Sequence, residues 1–285
     1  VIDLRLPRIF LAVVTGISLA GAGAVMQGIL NNPLVCPYTL GLSGGAAFGA
    51  ALAIVLGTGV LGPAFGIAGR YLIVTNAFLF GFLTMFLVYG IARLKGSTPE
   101  TLVLGGVAIG YLFSAGVSGL KYFSDSEALK ELVVWLMGGL WGASWSTVGL
   151  LFPIVTVCML VLLRYAWDMN ALAAGEEVAA NLGVRVNRLR LISLAFSALA
   201  ASATVAFTGI IGFIGLVAPH LCRMLIGGDY RFLIPGSCLM GAALLLVSDT
   251  LARTIIAPVE LPVGIITSLI GAPFFVFLLV KKKRR

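Results

Sequence analysis

Charged side chains are scarce in this sequence. Of 285 residues, 19 are Lys or Arg and 11 are Asp or Glu, whereas 60% are hydrophobic. A soluble domain carries roughly 25% charged residues, because its surface must be hydrated. The 11% found here cannot cover the surface of a water-exposed protein of this length. This scarcity excludes a cytosolic enzyme, a nucleic-acid-binding domain and a disordered chain.

Residues that build catalytic and metal sites are few as well. The single histidine, His220, lies two residues from Cys222 and therefore on another helical face. The four cysteines lie in or near apolar stretches without a CxxC spacing, and we interpret them as small buried hydrophobes. We recognise no nucleophile–base pair, and we expect no catalytic residue, no metal site and no cofactor bound by this chain. The sequence has no GxxxxGK[ST] phosphate loop, so any ATP hydrolysis belongs to a separate subunit.

Long apolar runs are abundant, and the mean hydropathy is +1.10. Crossing a hydrocarbon core of about 30 Å takes roughly 20 helical residues. Continuous apolar runs favour helices, since the strands of a barrel alternate polar and apolar residues. We therefore predict an all-α polytopic membrane protein, with a single transmembrane domain over residues 1–285. Nine spans are predicted, near residues 9–30, 39–57, 71–92, 102–123, 146–165, 190–208, 209–226, 233–252 and 262–280.

The basic residues predict the orientation in a cell membrane. With nine crossings, the side that holds the C-terminus collects 13 of the 19 Lys and Arg residues, including the terminal run Lys281–Arg285. By the positive-inside rule the C-terminus is cytoplasmic, and such a run after an apolar helix indicates a membrane-edge anchor, not a nucleic-acid partner. Because the chain does not begin with Met, we expect that residues precede it. The six basic residues of the outer side are Arg5, Arg8, Arg70, Lys121, Lys130 and Arg253.

Small residues recur at every fourth position of several helices, which places them on one face. In lipid, such faces let helix backbones approach closely. We interpret the stripes of residues 12–24 and 41–53 as packing faces. A third stripe contains two hydroxyl groups, so packing and the lining of a polar path both remain open for it. Its members are Gly106, Gly110, Ser114 and Ser118.

Helix-breaking residues lie at membrane depth. Residues 31–34 and Pro37 are expected to join two helices with almost no loop, and residues 209–215 with Pro219 interrupt another apolar run. Such breaks are tolerated where backbone is buried in protein or lines a cavity, as in transporters. Asp249 lies four residues before Arg253, and we expect a local ion pair. We find no chain of carboxylates that would couple transport to protons or sodium.

Residues 174–184 predict a short capped amphipathic helix on the cytoplasmic side, with Gly183 as its C-terminal stop. A basic cluster, Arg185, Arg188 and Arg190, follows it. An ordinary solvated loop is the alternative. A preformed helix with an apolar stripe favours a docking element over residues 174–190.

Eight segments make the chain resemble the FecCD-type permease family, the membrane subunits of ABC importers for iron–siderophore complexes, haem and cobalamin. They occur in the family's order and extend over essentially the whole chain. The resemblance implies the fold of a type II ABC importer permease with ten helices, the first of which precedes residue 4 and is absent here. The segments are residues 4–8 (LRLPR), 23–27 (GAVMQ), 32–34 (NPL), 40–46 (LGLSGGA), 135–139 (WLMGG), 212–220 (GFIGLVAPH), 261–264 (LPVG) and 271–273 (GAP).

The resemblance also implies roles for residues. It implies that three outward arginines dock glutamates of a substrate-binding protein, namely Arg5, Arg8 and Arg253. It implies a coupling helix that fits a cleft of the ATPase subunit, formed by Gly175, Glu176, Glu177, Ala179, Leu182 and Gly183. It implies a cytoplasmic gate at Asn32, Pro33 and Leu34, with residues 97–100 near a second gate element. Helix 102–123 would line the path at a homodimer interface, which favours the functional interpretation of the stripe that contains Gly106 and Ser118.

These expectations together describe the permease of an ATP-driven importer that works by alternating access. Its expected partners are a second copy, two ATPase subunits that bind ATP and Mg, an extracytoplasmic binding protein and membrane lipid. The expected substrate is a bulky iron complex, either a siderophore or haem. The alternatives are a cobalamin importer of the same family, an ion-coupled secondary transporter and a membrane enzyme that acts on lipid.

Overall fold

The computed structural model describes residues 2–57, 69–94 and 98–282, with side chains up to residue 277. These residues form twelve α-helices and no strands. The helices are α1 (Arg5–Ile29), α2 (Leu42–Leu56), α3 (Arg70–Arg93), α4 (Pro99–Phe123), α5 (Ser126–Met137), α6 (Trp145–Arg164), α7 (Ala166–Ala173), α8 (Glu176–Asn181), α9 (Val186–Thr208), α10 (Ile214–Ile226), α11 (Tyr230–Thr254) and α12 (Val263–Lys282).

Within the described ranges, six helices are long and apolar enough to cross a membrane, namely α1, α3, α4, α6, α9 and α11. Three further apolar helices are shorter, α2, α10 and residues 263–277 of α12. Each of the nine predicted spans corresponds to one of these nine helices. The chain is therefore an all-helical, multi-pass membrane protein.

Several boundaries differ from the prediction. Helix α5 was not predicted at all, although Asp125 caps it by accepting hydrogen bonds from two backbone N–H groups of its first turn. The predicted span 209–226 begins only at Ile214, because Gly209 and Phe213 both have a positive φ that no α-helix accommodates. Pro219 lies inside α10 and does not break it. The connection after α1 is the irregular segment 30–41, so the expectation of almost no loop was wrong.

Helix α1 is the most enclosed of the spans, with 78% of its apolar window buried. It packs chiefly against α11, α9 and α10. A Cβ at Gly16 would lie 2.6 Å from the Cα of Ala242, and one at Gly23 would collide with the carbonyl of Gly215. The stripe of residues 12–24 is therefore a packing face, as predicted. In lipid, where the hydrophobic effect does not drive helices together, close backbone contact stabilises their association. Gly45 and Gly49 of α2 abut α3 in the same way.

The two ends of α1 define two regions of the molecule. We call the end where Arg8 contacts Asp249 and Glu260 the outer end, and the end where Arg190 contacts the Ile29 carbonyl the inner end. These names follow the predicted orientation. The 25 residues of α1 separate the ends by about 37 Å. The basic run 281–285 lies outside the residues whose side chains are described.

Candidate functional site

At the outer end, Arg8 and Arg253 share one buried carboxylate. Arg8 donates from Nε to Asp249 Oδ1 at 3.1 Å and from Nη2 to the same oxygen at 2.9 Å. Arg253 Nε lies 3.2 Å from Asp249 Oδ2. Asp249 itself is only 3% exposed. The expected local pair of Asp249 and Arg253 is therefore confirmed, within a larger cluster that joins α1 to α11.

A second carboxylate completes this cluster. Arg8 Nη1 donates to Glu260 Oε2 at 2.8 Å, and Glu260 belongs to the connection between α11 and α12. Its side chain is 43% exposed. Sequence reasoning missed Glu260, because it is 252 residues away from Arg8 and no local pattern relates the two.

The three predicted docking arginines differ in how much of each is available. Arg5 is exposed and lies one turn before Arg8 on α1, on a neighbouring part of the helix surface. The side chain of Arg253 is 31% exposed and that of Arg8 only 14%. The structure thus brings all three to one end of the molecule, but Arg8 is largely engaged by the chain's own carboxylates.

At the inner end, helix α8 lies between α7 and α9 and ends in a Schellman motif. Gly183 has φ +84°. Its N–H donates to the carbonyl of Ala180, and the N–H of Val184 donates to the carbonyl of Ala179. These two bonds satisfy terminal carbonyls that an isolated helix end leaves unpaired. The predicted stop at Gly183 is confirmed.

The N-terminus of α8 differs from the prediction. Helical geometry begins at Glu176, after Gly175 at φ +122°, and no side chain caps it. Ala174 and Gly175, which the predicted helix included, therefore precede it. Glu176 and Glu177 in the first turn still favour the helix, because their charges oppose the positive end of its dipole.

The two faces of α8 differ strongly in the exposure of their side chains. Ala179 is fully buried against the protein, whereas Val178 is 45% and Leu182 is 69% exposed. Val178 and Leu182 are four residues apart and therefore neighbours on the helix surface. The predicted amphipathic element thus exists, and its apolar pair points away from the described part of the chain.

Arg190 connects α8 to α1. It is 3% exposed, and its Nε donates to the carbonyl of Ile29, the last residue of α1, at 3.3 Å. Its other guanidinium nitrogens contact the carboxylate of Glu176, the first residue of α8. The sequence predicts Arg190 within a basic cluster, with an ordinary solvated loop as the alternative. The structure rules out the solvated loop for Arg190, which lies in the first turns of α9 with its side chain enclosed.

The predicted gate residues Asn32, Pro33 and Leu34 lie shortly after the end of α1, and we call residues 30–34, which include them, the gate segment. Asn31 has φ +45°, and Asn32 Oδ1 accepts the N–H of Leu34 at 2.9 Å, which forms a turn. Leu34 is 46% exposed.

A cavity of about 390 Å³ lies beside the gate segment. Asn31, Glu100, Glu176 and Arg190 line it, together with Thr98 and Pro99. The structure therefore brings residues 30–31 of the gate segment, residues 98–100 near the predicted second gate element and the start of α8 around one space, whereas residues 32–34 are not part of its lining. Ser97 of that second element lies outside the described residues.

The stripe on α4 divides into two parts. A Cβ at Gly106 would lie 2.6 Å from the Cα of Leu40, and one at Gly110 would lie 3.5 Å from the Cα of Gly41. Gly106 is therefore a packing residue, and Gly110 is in ordinary contact. Ser114 and Ser118 are exposed.

An open groove of about 290 Å³ runs along the same face of α4. Gly106, Gly110 and Ser114 line it, and so do Tyr38 and Thr39 of the segment that follows α1. The groove thus connects the face of α4 with the chain just beyond the gate segment.

Comparison with known proteins agrees with this architecture. Residues 1–281 match the model of the FecCD transport family. The hemin transport system permease protein HmuU of Yersinia pestis is 43% identical over 100% of this chain and 84% of its own length. The cobalamin import system permease protein BtuC of Halobacterium salinarum is 44% identical over 99% of this chain and 73% of its own.

A solved structure agrees as well. It is described as an inward-facing conformation of a transporter assigned to the metal-chelate ABC type, and it superposes with a TM-score of 0.89 at 38% identity, covering 98% of this chain and 87% of its own. A family model that matches nearly the whole chain, relatives of this identity and a shared fold lead to one conclusion. The chain belongs to the FecCD transport family of ABC transporter permeases.

Proposed function

We propose that this chain is the permease subunit of an ATP-driven importer that works by alternating access at the interface of two copies. One observation carries the proposal. The two ends of a single rigid helix, α1, reach an arginine cluster with an exposed arginine and a short helix with an exposed apolar pair. These are two different docking surfaces on opposite ends of the same membrane protein.

The outer end would bind an extracytoplasmic substrate-binding protein. Arg5 presents an exposed guanidinium, and Arg253 presents part of one. Arginine recognises carboxylates through two parallel hydrogen bonds, so acidic side chains on the binding protein are the expected counterpart. Arg8 would keep the cluster in place through Asp249, with a smaller share in direct binding.

The inner end would bind an ATPase subunit. Val178 and Leu182 offer an apolar patch on the short rigid helix α8, and burying such side chains in a cleft stabilises a complex by roughly 1.5–3 kcal/mol each. ATP and Mg would be bound by that subunit and not by this chain. The proposed cytoplasmic C-terminus would lie on the same side of the membrane as the inner end and the ATPase subunit.

The path would run along α4 between two copies. Leu104, Tyr111 and Leu112 of α4 are each at least 66% exposed in the single chain, and Ser114 and Ser118 lie on the same helix. A second copy would cover the apolar residues and leave the hydroxyls beside the path. Asn32, Pro33 and Leu34 would close its cytoplasmic end.

For the substrate we propose a bulky iron complex, with a siderophore or haem first and cobalamin second. Permeases named for hemin and for cobalamin are 43% and 44% identical to this chain, so similarity does not separate the two. The groove beside α4 is lined mainly by small residues, which accommodate a large solute without selecting its chemistry. Selection would therefore rest with the binding protein.

The test is reconstitution in lipid vesicles. The chain is purified with its ATPase subunit, and uptake of an iron–siderophore complex, haem and cobalamin is measured with and without ATP and the binding protein. The proposal expects uptake of one of them only when both are present. Accumulation against a gradient by the permease alone would contradict the proposal and favour an ion-coupled transporter.

A further inference from the structure

We propose that Arg190 is the positioning residue through which a movement of α8 reaches the gate segment. The inference deepens the proposed importer and rests on it. It concerns how force on the inner face is transmitted inside this chain, whereas the docking of α8 on a partner is a separate matter.

The two groups that Arg190 joins are the ends of two different helices. The Ile29 carbonyl is one of the last four carbonyls of α1, which have no partner within the helix. Arg190 supplies a donor to it at 3.3 Å, and its positive charge is favourable at the negative end of the helix dipole. Arg190 therefore caps α1 at the point where the gate segment begins.

The second group, the Glu176 carboxylate, starts α8. Its contact with Arg190 joins residues that are 14 positions apart in the chain, across the turn between α8 and α9. A planar guanidinium that binds a carbonyl through Nε and a carboxylate through Nη fixes the relative orientation of its two acceptors. A shift of Glu176 must therefore change either this hydrogen-bond geometry or the position of Ile29.

The apolar contact between α8 and the rest of the protein is poorly suited to transmit a movement of α8 to the gate segment. The packing of α8 is centred on Ala179, a single buried methyl group. Dispersion contacts of this size are weak and non-directional. The polar connection is directional by contrast, and it is partly shielded from water, because the guanidinium is 4% exposed although the carboxylate is 55% exposed. The cavity beside Asn31 and Glu176 leaves room for the gate segment to move.

The experiment uses the assembled importer and three substitutions. Glu176→Gln removes the charge from a side chain that is 55% exposed, Arg190→Lys keeps the charge without the planar fork, and Arg190→Met removes both. Arg188→Met is the matched control, because Arg188 is an exposed arginine two residues away. Four quantities are measured: assembly with the ATPase subunit, ATP turnover, substrate uptake per ATP, and access to the gate segment.

Access is measured as the reaction rate of Leu34→Cys with a membrane-impermeant thiol reagent, with and without a non-hydrolysable ATP analogue. Leu34 is exposed and the four native cysteines are buried, so the reagent reports on this position. This readout separates transmission from mere structural support, because it follows the gate segment directly.

We expect uptake per ATP to decrease by about tenfold in the three variants, within the usual range of a coupling between two sites, while the two Arg190 variants still assemble and hydrolyse ATP. The response of Leu34→Cys to the nucleotide should decrease in parallel, and Arg188→Met should behave as the wild type. Normal uptake per ATP in Glu176→Gln and Arg190→Met would overturn the inference.

Two further outcomes are decisive. If Arg190→Met fails to assemble, Glu176→Gln and Arg190→Lys decide the question. If these also fail to assemble, the pair only holds α8 in place, and the transmission role is overturned. Absence of ATP-driven uptake in the wild type would instead contradict the proposed importer, which keeps the two failures distinguishable.

Discussion

The outer and inner ends of the molecule each contain a poorly exposed arginine that joins separate segments, but the two ends present different surfaces. At each end a poorly exposed arginine joins helices that are distant in sequence, Arg8 through Asp249 and Glu260 and Arg190 through Glu176 and the Ile29 carbonyl. Beside these arginines, the outer end exposes another cation, Arg5, whereas the inner end exposes the apolar pair of Val178 and Leu182.

Under the proposed function, this difference means that recognition of partners at the two ends would rest on different forces. Exposed charges attract over distance but are screened beyond about 8 Å at physiological ionic strength. Apolar burial is short-ranged and nearly insensitive to moderate salt. A partner that must bind and leave in each cycle suits the first surface, and a partner that stays attached suits the second.

The largest effect is expected at the inner end. Val178→Ser with Leu182→Ser should weaken binding of the ATPase subunit by about a hundredfold or more, because each side chain contributes roughly 1.5–3 kcal/mol when buried. Co-purification and titration of the two subunits would measure this. Asn181→Ser, at an exposed polar position of the same helix, is the control. Unchanged affinity in the double variant would mean that α8 is not the docking element.

Charge reversal at the outer end should abolish the response to the binding protein, although Arg253→Glu also removes one of the two arginines that contact Asp249. Arg5→Glu with Arg253→Glu is expected to eliminate stimulation of ATP hydrolysis by the binding protein, since charge complementarity becomes repulsion. Lys130→Glu, which reverses another exposed outer charge, should leave stimulation intact. Stimulation that persists in the double variant would remove these arginines from the docking surface.

Added salt should affect partner binding at the two ends differently, with a smaller change in affinity than the substitutions above. Raising ionic strength from about 0.05 M to about 0.5 M shortens the screening length several-fold. Affinity for the binding protein should decrease, whereas affinity for the ATPase subunit should hardly change. Parallel titrations of both partners on one preparation test this, and equal salt dependence would erase the contrast between the ends.

The smallest effect concerns Glu260. Because Glu260 occupies Arg8 Nη1 at 2.8 Å, it competes with any carboxylate of a partner. Glu260→Gln should therefore tighten the binding protein by a few-fold, as a mild gain on an exposed charge pair. Glu127→Gln, an exposed acid on α5, is the matched control. Weaker binding in Glu260→Gln would show that Glu260 supports the docking geometry.

Much of the architecture was predictable from local patterns. Six of the nine predicted spans are helices long and apolar enough to cross a membrane, and the other three correspond to shorter apolar helices. They were predictable because about 20 apolar residues suffice to cross a membrane, whatever their neighbours are. Gly183 was identified as a stop because the left-handed conformation after a helix favours glycine. Helix α5 was missed because its amphipathic pattern is too short to register as a span, and its cap at Asp125 was not weighed.

The features that the sequence did not reveal depend on contacts between segments that are distant in the chain. The segment after α1 contains Asn and Pro but no long polar run, so its length could not be judged from composition. Arg190 was grouped with Arg185 and Arg188 as one basic cluster because the three are close in sequence, and only packing of α9 against α1 and α8 encloses it. Glu260 joins Arg8 across almost the whole chain, and no periodicity carries that information.

Composition and periodicity alone thus determine that this is an all-helical membrane protein and where its apolar helices lie, because both follow from interactions within about one helical length. Tertiary structure decides which carboxylate meets which arginine, and so which cations remain exposed. That choice depends on contacts between helices distant in sequence, where ångström differences in approach determine whether a charge is paired inside the protein or presented to a partner.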